Sequence, residues 1–378
     1  MKDNLQARSV RRYDLDWLRI LAILLLIPYH TARVFDSNPF YIKNEINSPT
    51  IELFTSFINL WFMPLFFFIA GAAAKYSLER RSKKQYCLER FNKLFIPLLF
   101  GIFSLIPIAG YFGFLNAHPG SDLSYYQYYP NFFNLDFEHI DGYTGKFTPS
   151  HLWFILYLFY FSLITLHLFH YLKTSNGKYL TAKLAEYLSQ KPKRIFLLAI
   201  PLTLGRMMMI VYYNPVYLIL FFILGYLVFS DRRFEQSMSK NNLIVFILAI
   251  IGTLFYLYSG VSEFSLIKNL SIPNIIFQFL LSLSTWCWVI VILNLARQFL
   301  NKKKSLKGYL NEASYPIYIL HMTFVVPVAF YIVQWQAGVM VKFFFIVLIS
   351  SIGIFLVYDL LIKRFNLTRF LFGMKINT

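Results

Sequence analysis

Charge is what this chain has least of. Only 14% of its 378 residues are Asp, Glu, Lys or Arg, against about 25% in a soluble domain. A soluble core of this length would leave too few charges to cover its surface, whereas a surface facing lipid needs none. Acidic residues are the scarcer kind, 18 against 36 basic ones, for a net charge of +18. With 2 Cys, one in a connecting segment (Cys87) and one mid-span (Cys287), no disulfide framework is expected. With 16 Gly and 15 Pro, the chain is neither collagen-like nor low in complexity. There is no HExxH and no close His/Cys cluster, so no metal is expected. Walker A, GxGxxG and GxSxG motifs are missing too, which leaves nucleotide hydrolysis and α/β-hydrolase chemistry without support.

In their place stand apolar runs: 57% of the chain is hydrophobic and 20% aromatic. Ten stretches lie near the ~20 residues that cross a bilayer: Leu15–Phe35, Leu53–Lys75, Leu94–Leu115, His151–Leu172, Ile195–Tyr213, Pro215–Ser230, Leu243–Gly260, Ile272–Ala296, Ala313–Gln334 and Val339–Ile362. The spacing predicts an all-α, polytopic bundle of about ten membrane helices in one domain, 1–378. The fifth and sixth stretches are short, are joined by only Asn214, and suit a helical hairpin. If the ten alternate, nearly all basic residues between spans fall on one side, from Lys2, Arg8, Arg11 and Arg12 through Lys302, Lys303 and Lys304 to Lys375. The other side holds Lys43, Lys146, Lys268 and Lys342. The positive-inside rule then places both termini in the cytoplasm. The positive charge therefore marks topology and not a nucleic-acid partner. The first run is too long for a secretory signal, holds Arg19 and His30, and lacks a small-residue cleavage site, so none is expected. The Tyr-rich loop 116–150 carries Asp122, Asp136, Glu138, Asp141, His118 and His139. Its length marks it as a functional segment or a packed lid.

Ionisable groups inside spans are costly and default to functional readings. Arg19 and His30 are 11 residues apart in the first span, about 20° past three full turns and roughly 16 Å along the axis. They therefore share a helix face, the cation near the cytoplasmic boundary and the imidazole toward the far leaflet. That arrangement suits an extended anionic donor such as acyl-CoA, with phosphates held at Arg19 and the thioester at His30. The bland readings are a snorkelling arginine and a packing histidine. Pro28 cannot donate to the Leu24 carbonyl and favours a kink just before His30. Asp16, three residues before Arg19, is placed to orient it. Arg206 lies too deep in the fifth stretch to snorkel easily and calls for a cavity or a partner. Arg90 and Lys93, one turn apart, are phosphate ligands or ordinary topology charges. His151 opens the fourth span and His321 sits within the ninth, each an interface, packing or acceptor-site residue.

The motifs carry a resemblance. RRYDLDWLRILAILLLIPYH resembles the opening helix of the acyltransferase family 3 membrane proteins, with Arg19 and His30 in their Arg-x10-His motif. The DLDWLR run is similar, more narrowly, to the glucans biosynthesis protein C branch. MPLFFFIAG (63–71), ERFNKLFIPLL (89–99), HLWFILYL (151–158) and SYPIYILHM (314–322) follow in the expected order. The resemblance implies an inner-membrane O-acyltransferase moving an acetyl or succinyl group from acyl-CoA to a periplasmic or surface glycan. His30 takes the place of the family's essential histidine and Arg19 that of its motif arginine. Arg90 and Lys93 fall where the family has a basic pair near the donor, although Lys93 lacks bidentate geometry. On this reading Asp16 supports Arg19, and Arg19, Arg90, Lys93 and Arg206 hold the donor. His30 serves as general base or as a covalent acyl relay. Tyr29, His151, Trp153 and His321 shape the acceptor cleft, along with loop 116–150. The rival reading is a secondary transporter of an anionic solute using Arg206 and His30.

Overall fold

The computed structural model describes residues 12–134, 141–208, 214–259, 271–302 and 305–377. Lys2, Arg8, Arg11, Asp136, Glu138, His139, Lys268, Lys303 and Lys304 lie outside the described residues. Within them the secondary structure is helical: α1 (Tyr13–Ala32), α2 (Pro49–Asn59), α3 (Phe62–Arg80), α4 (Lys83–Ala117), α5 (Tyr125–Phe132), α6 (Trp153–Ile164), α7 (Leu166–Leu172), α8 (Ser175–Gln190), α9 (Ala199–Met207), α10 (Pro215–Val228), α11 (Arg232–Ser239), α12 (Asn242–Ser259), α13 (Ile272–Phe299), α14 (Lys307–Ile332), α15 (Val339–Ile362) and α16 (Asn366–Leu371). Starts are written locally. Ser48, Thr174, Asn214 and Asp231 accept a backbone N–H of the first turn, and Ser82–Gln85 forms a capping box, which satisfies donors left open at a helix start.

Among the described residues seven helices are long and apolar enough to cross a membrane, or up to nine if two bent pairs each count as one. Against the expected ten, the stretch without such a helix is the fifth. Its start is a 3-10 segment, Pro192–Leu198, which leaves α9 only nine residues, and 209–213 are outside the described residues. Asn214 ties α9 to α10 by donating from Nδ2 to the carbonyls of Gly205 (3.0 Å) and Arg206 (2.9 Å). The fourth stretch bends by 49° between α6 and α7, where the Phe161 carbonyl accepts both the N–H (3.0 Å) and the hydroxyl (2.7 Å) of Thr165, a back-bond that bends helices. The sixth is followed by a 106° turn into α11.

Proline chemistry shapes α4. It holds two π-helical turns, Phe91–Phe95 and Gly101–Leu105, each just before a proline, Pro97 and Pro107. A proline cannot donate to the carbonyl four residues back. The carbonyls so released, of Lys93 and Phe103, accept the hydroxyls of Tyr315 (2.7 Å) and Tyr129 (2.9 Å) instead. The first of these bonds fastens α4 to α14.

The bundle has two chemically different ends. At one, Arg12 bridges Asp14 and Glu235, Glu235 also holds Arg297, Lys307 pairs with Asp16 (2.6 Å) and Arg369 with Glu312 (2.7 Å). The start of α1 and the C-terminal segment therefore meet at this basic end. At the other, residues 33–48 fold around fully buried Asp36, which holds Arg33 (2.6 Å) and Lys43 (3.1 Å). Burial pushes the Lys43 ammonium below its ordinary value, against the pull of Asp36. The described part of loop 116–150 packs through some of its tyrosines, while residues 116–120 are exposed. Tyr128 donates to the Gly145 carbonyl (2.5 Å), and Tyr41 donates to Ser150 Oγ (3.0 Å) while meeting Tyr143 edge-on.

Candidate active site

The site is built on α1 and α14, which lie side by side and run the same way. At the basic end Arg19 donates to Asn311 Oδ1 (2.7 Å). Toward the far end the ring of His30 lies 4.9 Å from that of His321. Arg19 and His30 thus both face α14. Asp16 of α1 accepts from Lys307 of α14. Positions 311, 315 and 318 recur at the 3.6-residue period, so Asn311, Tyr315 and Tyr318 form one stripe. The two tyrosine rings are stacked, 6.2 Å apart and 8° from parallel.

This stripe fastens the other helices. Tyr315 reaches Lys93 on α4, and Tyr318 donates to the His151 carbonyl (2.6 Å). His151 replies with Nε2 to the Ile319 carbonyl (3.0 Å) and its ring stands 4.6 Å from His321. Ser150, immediately before it, has φ +45°, a left-handed conformation unusual for a residue with a Cβ. The start of α6 is therefore held in an unfavourable backbone state at the point where it aims His151. Three imidazoles from three distant segments meet here. His151 and His321 are buried and His30 is half-buried. His30 is flanked by Tyr29 (5.0 Å, edge-on) and covered by Phe40, stacked at 6.1 Å.

The remaining expected residues divide. Tyr29, beside His30, donates to Asn59 Oδ1 (2.5 Å). Arg90 and Lys93 share Glu89, at 3.5 and 2.7 Å, and Arg90 also lies over the Tyr86 ring. Lys93 meets the stripe at Tyr315 through its backbone carbonyl, while its ammonium stays on Glu89. Trp153 turns to Phe67 and Tyr157, and its neighbour Phe154 meets Tyr318 edge-on. Arg206 belongs to another helix group, donating to Gln278 of α13 (2.9 Å) and to Tyr217 of α10 (3.3 Å). No cluster of three or more His, Cys, Asp or Glu suited to a metal occurs among the described residues. Sequence reasoning passed over Asn311, Tyr315, Tyr318, Phe40 and Lys307. The stripe at 311, 315 and 318 was the available signal for three of them. Phe40 and Lys307 carried none, because only the fold brings them to α1.

Residues 12–359 match a protein family described as an acyltransferase domain. Among curated proteins, the chain is similar to glucans biosynthesis protein C of Escherichia coli O81 (strain ED1a) and of Escherichia coli K12. The identity is 24% over 343 residues in each case, covering 82% of this chain and 81% of each relative. No solved structure matches significantly.

Proposed function

This chain belongs to that acyltransferase family, and from this premise we propose that it moves an acyl group, acetyl or succinyl, from cytoplasmic acyl-CoA to a hydroxyl of an extracytoplasmic glycan. A multi-pass membrane acyltransferase is the frame, and the inner membrane is its place in this reading. The relatives' name points to a glucan as the acceptor class.

The observation that carries the reading is the position of His30. It is a half-buried imidazole with no hydrogen bond among the described residues, set at the opposite end of α1 from Arg19. Arg19, with Arg90 and Lys93 along the Tyr315 stripe, supplies cations for the donor's phosphates. The thioester then lies about 16 Å further along α1, at the His30 level. There His30 takes the proton of the sugar hydroxyl, the oxygen attacks the thioester carbonyl, and the departing thiolate receives the proton. The two imidazoles behind His30 favour direct transfer over an acyl-histidine, because they give a transient proton somewhere to go. The chemistry needs no metal. Arg206, held by Gln278 and Tyr217, supports α9 against α13 in this scheme and is left out of the donor site.

The test is His30→Ala, read by mass spectrometry of periplasmic and surface glycans. Acylation is expected to vanish while membrane abundance stays at the wild-type level. Acylated glycan from that variant would sink the proposal.

A further inference from the structure

Packing alone does not explain the two imidazoles beside His30. Each is anchored to a backbone carbonyl through one nitrogen: His321 Nδ1 to Tyr318 (2.6 Å) and His151 Nε2 to Ile319 (3.0 Å). A carbonyl only accepts, so each anchored nitrogen carries the ring's proton. The opposite nitrogens, His321 Nε2 and His151 Nδ1, are left as bare acceptors. Both are buried and without a partner, and so is His30 Nδ1. Three orphaned nitrogens thus belong to rings spaced 4.9 and 4.6 Å apart, with His321 in the middle. Leaving buried acceptors unmet is costly. A fold that builds two of them beside a third imidazole is poised to receive a proton.

We infer that His321 is a positioning and proton-relay residue for His30. The inference rests on the acyl-transfer reading above and deepens it. In the working site the His30 and His321 rings close the gap that leaves these two nitrogens without a partner: Nε2 of His321 then accepts from His30 Nδ1–H and so holds His30 in the tautomer whose Nε2 is free to act as base, the role a buried carboxylate plays behind a catalytic histidine. When the sugar hydroxyl gives its proton to His30 Nε2, the Nδ1 proton moves to His321 Nε2. One O–H and one N–H bond break, and two N–H bonds form. When the thiolate leaves, the proton on His30 Nε2 passes to sulfur and His321 returns its own to His30 Nδ1. The net change is the hydroxyl proton on the CoA thiol.

The wild-type protein tests this first. In membranes, nitrogen NMR of 15N-histidine protein, with His30 assigned by difference against His30→Gln, is expected to show His30 protonated at Nδ1 and bare at Nε2. The reverse tautomer overturns the proposal, and this measurement needs no altered His321. In kinetics, His321→Gln keeps an acceptor for the Nδ1 hydrogen but cannot take the proton. Its transfer rate is expected to fall about 10²-fold, with abundance and KM for acyl-CoA unchanged. His321→Ala is expected to be partly restored by added imidazole and not by pyrrole, which has the same shape and no basic nitrogen. A wild-type rate in His321→Gln, or equal restoration by pyrrole, overturns the relay. If His30→Ala itself transfers acyl groups, the base assignment fails, while the tautomer measurement still decides the positioning claim on its own.

Discussion

Asp36 shows how much one side chain governs at the far end of the bundle. It is fully buried and holds Arg33 and Lys43, and Lys43 also donates to its carbonyl. Arg33 follows His30 by three residues and Phe40 covers the His30 ring, so the ion cluster and the site share one short segment. Removing one partner of a buried ion network leaves uncompensated charge, at about 3–5 kcal/mol. Asp36→Ala is therefore expected to lower the thermal midpoint of the purified protein sharply, with Lys183→Ala, exposed on α8, as a comparison that leaves it unchanged. Equal midpoints for the two variants would show that the cluster is not structural. Of the site itself, Arg19 and His30 were legible as residues because ionisable groups inside apolar runs stand out. Tyr318 and Phe40 were not, because aromatic side chains are everywhere in a chain with 42 Phe and 27 Tyr.

At the scale of elements, the closest helix pair is α3 with α10. A Cβ on Gly71 would lie 1.9 Å from the Phe222 carbonyl oxygen, and one on Gly225 would lie 1.9 Å from that of Phe68. The two glycines let the backbones touch, which is how membrane helices gain packing without a hydrophobic drive between them. Gly225→Ala must push α10 off α3, at a cost of about 1–3 kcal/mol or more. A lower melting temperature and loss of a single monodisperse peak in detergent are expected. Gly338→Ala, where nothing lies within 4 Å of the added carbon, should behave as wild type, and if the two variants melt alike the contact is not limiting. The apolar runs were readable at this scale. The bend at Thr165, the π-helical turns before Pro97 and Pro107 and the broken entry to α9 were not, because hydropathy reports length and polarity but not where a carbonyl finds its partner.

For the whole molecule, the basic end gathers both the start of α1 and the C-terminal segment, through Asp16–Lys307 and Glu312–Arg369. Chain ends on one side of a bilayer require an even number of crossings. The segment Pro192–Met207 is therefore expected to cross as well, its 3-10 start giving about 2.0 Å of rise per residue against 1.5 Å in an α-helix. Single cysteines in a Cys87→Ser, Cys287→Ser background test this with an impermeant thiol reagent. Asp122→Cys and Asn214→Cys should label from outside intact cells, and Lys178→Cys and Ser239→Cys only after lysis. Labelling of Asn214→Cys together with Lys178→Cys would leave that segment on one side and break the scheme.

Composition alone determined that this chain lives in lipid, because too few charges exist to cover a soluble surface. The order of basic and apolar segments determined which ends lie together, and the period of one helix determined that Arg19 and His30 look the same way. What only tertiary structure decided is what they look at. Helix α14 meets α1 side by side, and a strained turn at Ser150 delivers His151 to the same point. Contacts between segments far apart along the chain depend on how helices tilt, break and touch. Those choices are made by carbonyls seeking donors and by glycines admitting backbones, and neither leaves a periodic mark in the sequence.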